Sequence, residues 1–459
     1  MCFLKRLKKS KKNLFKNQKK IFKLRILNFI NAFMQDIKNT DKIILIILII
    51  LAFVSYAIGF ILGENSAGGA VVDFEYVKRN IITFKDNSFF EAIKLTATKD
   101  SQIFQSTRSP GFYVFNKYLN PFTNNMLFHQ TYITLLSLLI PLLLFLNLKI
   151  KFKNTNVYLL ALLSSVMLLS PYFRSSAFWG IEENFGIVMV GFSALFLQLY
   201  KGSKSKYFEM THLVLLALFS SLCVYADQKL IIIPLITLIS VMIMKNKIPN
   251  KLFLIFMYIL FSIPFLYLII LWGSIVPTGD ADRRNFDLLD TTRNYHHFGY
   301  SISIVSFYLF PFFFSLKDKK KKLLDFIKNK ENYFFLIIFI FYLIYFLFYY
   351  NLDNIHHSGG GVFRKISDIL FKSVIIQKII LALIFLFSWI LILIFSQKEP
   401  LNFFILTVFP VLSIFISPAL FQEYFDPLIY FLILIYISKK FFFNFKSSVF
   451  FFLYFTLFL

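Results

Sequence analysis

Twelve stretches of this 459-residue chain, and a short thirteenth at its end, are apolar over most of their length and nearly free of charge. They run over 43–62, 126–148, 157–169, 186–199, 213–225, 230–244, 252–275, 301–314, 333–350, 375–395, 403–417, 428–437 and 449–459. A helix crossing the hydrocarbon of a bilayer needs about 20 mostly apolar residues, so several of these runs borrow a turn from their flanks. In hydrocarbon each backbone N–H and C=O must be satisfied within the spanning structure, and runs without period-two alternation do this as helices. The expected fold is therefore all-α, a polytopic bundle of about 12–13 transmembrane helices. Composition agrees: 58% of residues are hydrophobic and 16% charged, where a soluble chain carries about 25% charged residues.

The chain divides into a basic tail, 1–42, and a multi-span membrane domain, 43–459. The tail holds 13 Lys and Arg, and the run after it has no small-residue cleavage site, so 43–62 reads as a signal anchor rather than a removed leader. Residues 15–33 have the pattern of a basic amphipathic helix lying on the inner membrane surface. Cytoplasmic loops are enriched in Lys and Arg. With the N-terminus inside and strict alternation, the inner segments hold 33 of the 49 basic residues and 7 of the 24 acidic ones. This is the pattern of a multi-pass protein of a bacterial inner membrane with a cytoplasmic N-terminus. The net charge of +25 is then topological bias and attraction to anionic membrane lipid, not a nucleic-acid surface.

Arginine is distributed differently from lysine. Only Arg6 and Arg25 lie inside; Arg79, Arg108, Arg174, Arg283, Arg284, Arg293 and Arg364 lie outside. The rigid guanidinium fork binds phosphate or carboxylate in a way lysine does not copy. These arginines either pair with the 17 outer acids or hold a phosphate-bearing substrate.

The first outer loop, 63–125, is the longest. It places Asp73 and Glu75 about ten residues beyond the membrane exit, with amphipathic stretches at 74–84 and 89–97 that read as short interfacial helices. It ends in a polar turn, Arg108-Ser-Pro-Gly-Phe-Tyr113, feeding the next helix. A carboxyl among apolar neighbours at a membrane surface has its pKa raised toward that of a useful base, or is kept anionic by arginine. The second outer loop gathers Arg174, Trp179, Glu182 and Glu183 at the membrane boundary, where charges usually face a cavity or a partner. Asp227-Gln228-Lys229 is a tight third turn. Later outer loops carry His296 and His297, then His356 and His357, Gly359–Gly361, Arg364 and Lys365. The last puts Glu423, Tyr424 and Asp426 on one face. Neither histidine pair has ligand spacing for a metal, and the glycines lack the Lys-Ser/Thr ending of a nucleotide loop. Cys2 and Cys223 imply no disulfide framework. The 64 phenylalanines fit drift toward A/T-rich codons on a lipid-tolerant surface.

A large first extracytoplasmic loop bearing an acid soon after the first of many spans resembles the GT-C superfamily of membrane glycosyltransferases, which use polyprenyl-phosphate-linked sugars on the outer face. Asp73, in Val-Asp-Phe-Glu-Tyr, occupies the position of that family's essential acid. More narrowly, the chain is distantly similar to the dolichyl-phosphate-glucose-dependent glucosyltransferases. These have an Asp-Glu pair in the first loop, a Thr-Pro-Gly-Leu-Tyr stretch entering the second helix, and an acid, Arg-Tyr and Pro before a late helix. Here Asp73 and Glu75 are separated by Phe74, Arg108-Ser-Pro-Gly-Phe-Tyr113 follows, and Glu423-Tyr-Phe-Asp-Pro427 lacks the arginine.

The resemblance implies an inverting transfer from a polyprenyl-phosphate sugar to a glycan or lipid-linked acceptor, with Asp73 as general base and Glu75 beside it. Arg108, Arg174, Arg364 and Lys365 are the implied phosphate-binding residues, and Glu182, Glu183, Asp227, Glu423 and Asp426 the remaining site. No cofactor is implied, although some members of the superfamily use a divalent cation. Two other readings stand beside it. An O-antigen polymerase or ligase usually has its dominant loop late in the chain, and a lipid-linked oligosaccharide transporter has charge deep within its spans.

Overall fold

The computed structural model describes residues 38–66, 69–97, 108–244, 248–273, 291–350, 352, 359–397, 399–411, 420–437 and 441–458. Among them there is no strand, only helices and their connections. Eight helices are long and apolar enough to cross a membrane: Asn39–Ile61, Met126–Lys151, Glu182–Lys201, Lys206–Ala226, Ile248–Trp272, His297–Phe314, Lys330–Tyr349 and Val374–Ser396. A further crossing is broken, Val157–Leu169 and Pro171–Phe178 meeting at 67°. Chemistry explains the break. Ser170 leaves the helical conformation (ψ 125°), Pro171 cannot continue the preceding hydrogen-bond ladder, and the Ser170 hydroxyl caps the new helix at the Phe173 N–H, 3.0 Å away. The protein is an all-α, multi-pass integral membrane protein.

The remaining apolar runs also fold as helices where they are described, but short ones: Gln228–Ile243, Pro400–Val411, Phe445–Thr456 and Leu428–Tyr436. Among the described residues the expected 12–13 spans thus correspond to eight full-length helices, the bent pair and four shorter helices. Burial sorts the long helices by position. His297–Phe314 is 78% buried and packs against Val374–Ser396, whereas Asn39–Ile61 and Ile248–Trp272 are 22% and 17% buried and turn their leucine, isoleucine and phenylalanine outward to lipid.

The bundle has two chemically distinct ends. Helix Glu182–Lys201 runs from one to the other, about 30 Å at 1.5 Å per residue. At its lysine end, Lys151 donates to the carbonyls of Leu434, Ile435 and Ile437 (2.9, 3.1 and 2.7 Å). There too Leu316 bridges to Phe441, and the Phe152 ring meets Phe443. At the glutamate end lie the connections that alternation assigns to the opposite side. The first of them contains the two interfacial helices, observed as Ala70–Asp86 and Phe89–Ala97. The Arg108–Tyr113 stretch opens a helix of its own, Gly111–Leu119, before the next span begins at Met126. The tail before residue 38, the arginines at 283 and 284, and His356–His357 lie outside the described residues.

Candidate functional site

A small pocket, partly open to the exterior, lies at the glutamate end. Three chain-distant regions build it. Ala70 and Asp73 come from the first turn of Ala70–Asp86. Tyr172, Ser175 and Ser176 come from the helix beyond the broken span, and Ile181, Glu183 and Asn184 from the start of Glu182–Lys201. Glu423, Asp426 and Pro427 come from the turn before Leu428–Tyr436.

Asp73 is directed here by helical geometry. Phe74, Val77, Ile81 and Phe84 form the buried stripe of its helix, with Phe74 against Trp179 at 6.1 Å between ring centres. Asp73 stands beside that stripe and faces the pocket. Glu75, two residues on, points elsewhere, since neighbours at that spacing do not share a face. Its side chain is 57% exposed and lies 3.8 Å from Lys78. The structure therefore separates the two acids that the sequence sets side by side.

Behind the pocket wall, Arg108 pairs with Glu182 at 2.6 Å and reaches Glu183 at 3.5 Å. Burial works against its charge, but Glu182, Glu183, Asp227 and Asp73 outweigh this and hold its pKa well above the ordinary guanidinium value. Asp227 is buried, caps the turn at the Lys229 N–H (3.0 Å) and pairs with the Lys229 ammonium at 3.1 Å. That ammonium sits 5.0 Å from the centre of the Tyr424 ring, a cation–π contact linking this turn to the one bearing Glu423.

Burial pushes the Glu423 carboxyl up to about 7; Lys229 opposes this, while Glu183 and Asp73 add to it. Burial likewise pushes Asp426 up to about 7, against hydrogen bonds from the Ser170 and Tyr308 hydroxyls and the Tyr172 backbone N–H. Asp426 thus caps the helix that begins at Pro171, and its carboxylate ties the broken span to the last turn. Gln422 extends the tie by donating to the Tyr308 hydroxyl at 3.1 Å and accepting from the Val362 N–H at 2.9 Å.

Arg174 is elsewhere. It is buried, donates to the Ser55 hydroxyl and carbonyl at 2.9 Å each, and pairs with Glu64. Its guanidinium lies over Phe178 at 5.7 Å. It fastens the first span to the helix beyond the break rather than facing the pocket. Sequence reasoning misses Glu64 as its partner; the available signal is an acid one residue past the glycine that ends the first span. Arg364 lies on helix Gly361–Leu370 and pairs with Asp368 at 3.0 Å, and Lys365 beside it is exposed. That helix begins against the last turn, its Gly360 N–H donating to the Leu420 carbonyl at 2.8 Å, yet neither cation lines the pocket. Tyr172, Ser175, Ser176 and Asn184 also escape a reading of the sequence, because small polar residues in an apolar run give no signal until the helix is seen to break.

Of the sequence-derived site, then, Asp73, Arg108, Glu182, Glu183, Asp227, Glu423 and Asp426 come together, while Glu75, Arg174, Arg364 and Lys365 do not. No three His, Cys, Asp or Glu side chains among the described residues are grouped as metal ligands. Comparisons with protein-family models, curated proteins and solved structures find no match to this chain.

Proposed function

We propose that the protein is a membrane glycosyltransferase of the GT-C kind, moving a sugar from a polyprenyl-phosphate donor to a glycan or lipid-linked acceptor. The pocket end is read as extracytoplasmic and the lysine end as cytoplasmic, in keeping with a bacterial inner membrane. One observation carries the reading. Asp73, from the first helix after the first span, lines a pocket completed by acids from two later connections.

In this reading Asp73 takes the proton from an acceptor hydroxyl as that oxygen attacks the anomeric carbon. The glycosidic bond forms with inversion, and the bond to the polyprenyl phosphate breaks with its electron pair leaving on the phosphate. General-base assistance of this kind is typically worth about 10²–10⁴-fold. The leaving phosphate needs electrostatic stabilisation rather than a proton. Arg108, behind the pocket wall with its side chain 22% exposed and paired with Glu182 and Glu183, is the cation nearest the pocket acids that this reading has to supply it. Glu183, Glu423 and Asp426 accept hydrogen bonds from sugar hydroxyls.

The test is transfer of radiolabelled sugar in membranes by wild type and Asp73→Asn. A loss of about 10²-fold or more in the folded variant is expected, and transfer at the normal rate removes the general-base assignment. The broken span favours a second reading, because interrupted helices beside a cavity also build transporters. Movement of lipid-linked sugar between leaflets by the purified protein, with no bond made, selects that reading.

A further inference from the structure

The pocket is lined by acceptors. Asp73, Glu183, Glu423 and Asp426 are carboxyls. Asn184, 1% exposed, adds a further acceptor: its amide N–H groups donate to the Ser137 hydroxyl at 3.1 Å and the Phe173 carbonyl at 2.9 Å, while its Oδ1 has no hydrogen-bond partner among the described residues. An acceptor left desolvated and unmet is costly, so a ligand seated here satisfies the Asn184 oxygen by donating to it.

Charge narrows the class. The pocket and its wall hold six carboxyls (Asp73, Glu182, Glu183, Asp227, Glu423 and Asp426) against two cations, Arg108 and Lys229, each drawn to a wall acid. Glu423 and Asp426 titrate near 7, so at neutral pH the excess is smaller than the formal four negative charges, but it stays negative in a site only partly open to water, where Coulomb interactions are stronger than in bulk solvent. A phosphate or carboxylate is repelled from such a place. A neutral polyol satisfies the acceptors without relieving the charge, whereas an ammonium group does both.

We propose that the sugar seated in this pocket carries a protonated primary amine, so that the substrate class is amino sugars. This rests on the glycosyltransferase reading of the same site. The phosphate of the donor then lies outside the acidic pocket, toward the exposed edge of Arg108.

The full-length protein in lipid nanodiscs, with chelator present, is titrated with methyl glucosaminide, methyl N-acetylglucosaminide and methyl glucoside at neutral pH and low salt. The glucosaminide is expected to bind at least about tenfold more tightly than either neutral glycoside. Both Glu183→Gln and Glu423→Gln, each checked for folding by its melting temperature, are expected to cut that preference by several-fold. Equal binding of the three glycosides overturns the proposal, as does an amine preference that neither substitution alters, since the amine then binds at some other acidic surface. Asp73-dependent transfer of a neutral sugar from polyprenyl-phosphate glucose, with no gain for the amino sugar, sinks the amine while leaving the glycosyltransferase reading intact.

Discussion

The Ser170 hydroxyl donates to the Asp426 carboxylate across 256 residues of sequence, joining the break in one span to the turn that precedes another. Asp426 also accepts from the Tyr308 hydroxyl and the Tyr172 N–H, so one carboxyl holds three elements at the pocket floor. Asp426→Ala strands buried donors and is expected to cost about 1–3 kcal/mol. Asp426→Asn keeps one acceptor oxygen and is expected to lose less. Thermal unfolding in detergent reads the difference, and equal melting of the alanine variant and wild type removes the structural role.

Asp426 and Glu423 both contribute to the pH response. Both titrate near 7 in the folded protein, above the ordinary carboxyl range, so the folded state binds protons more tightly than the unfolded chain. Their contribution is fully present below about pH 4, the unfolded value, and is lost as pH rises through 7. Stability is therefore expected to fall between about pH 4 and 7, with each acid contributing a slope of at most about 1.4 kcal/mol per pH unit. The double variant Glu423→Gln/Asp426→Asn is expected to flatten that slope. A slope unchanged in the double variant assigns the pH response to other groups.

Arg174 and Arg108 look alike in the sequence, yet the structure gives them different work. Arg174 ties Ser55 and Glu64 to the helix beyond the break. Arg174→Lys keeps the charge but not the fork, and is expected to lower stability by about 1–2 kcal/mol while leaving KM for the donor unchanged. A rise in KM without loss of stability restores Arg174 to the phosphate-binding role that its position in the sequence suggests.

Arg108 has a buried acid to answer for. Removing it leaves Glu182, 1% exposed, without its cation. Breaking a buried pair in this way typically costs about 3–5 kcal/mol. Arg108→Ala is expected to lose that much, and adding Glu182→Gln is expected to restore a good part of it. Additive losses in chemical denaturation rule out the coupling.

Much of this architecture is readable in advance because hydropathy and charge are one-dimensional signals. The apolar runs mark the helices, and the side on which each loop falls marks the set of residues able to meet. Which of them do meet is not readable. Asp73 and Glu75 differ only by the angle of two residues on a helix, and Arg174 is diverted by Glu64, whose only mark in the sequence is its place just past the glycine that ends the first span. Hydropathy marks an apolar run without giving the length of its helix, registering the nine-residue Leu428–Tyr436 much as it registers half of a long helix. Nor does it mark the proline-directed break at Ser170, which exposes Tyr172, Ser175 and Ser176 to the pocket.

Gly111 offers a test of how the Arg108 segment is held. A Cβ there would lie 2.3 Å from the Tyr225 carbonyl oxygen and 2.6 Å from its carbon, backbone atoms of helix Lys206–Ala226 that cannot swing aside. The glycine lets Gly111–Leu119 pack directly on that helix, with Phe112 and Tyr113 buried next to it and Arg108 three residues before. Gly111→Ala forces the two helices apart and is expected to cost about 1–3 kcal/mol. It is also expected to slow sugar transfer, because Arg108, just before the displaced helix, moves away from Glu182 and the pocket wall. Gly202→Ala is the control, its nearest neighbours being at 3.7 Å and 3.8 Å, and is expected to change transfer little. Should Gly111→Ala melt and transfer sugar like wild type, the close approach of these helices does not position Arg108.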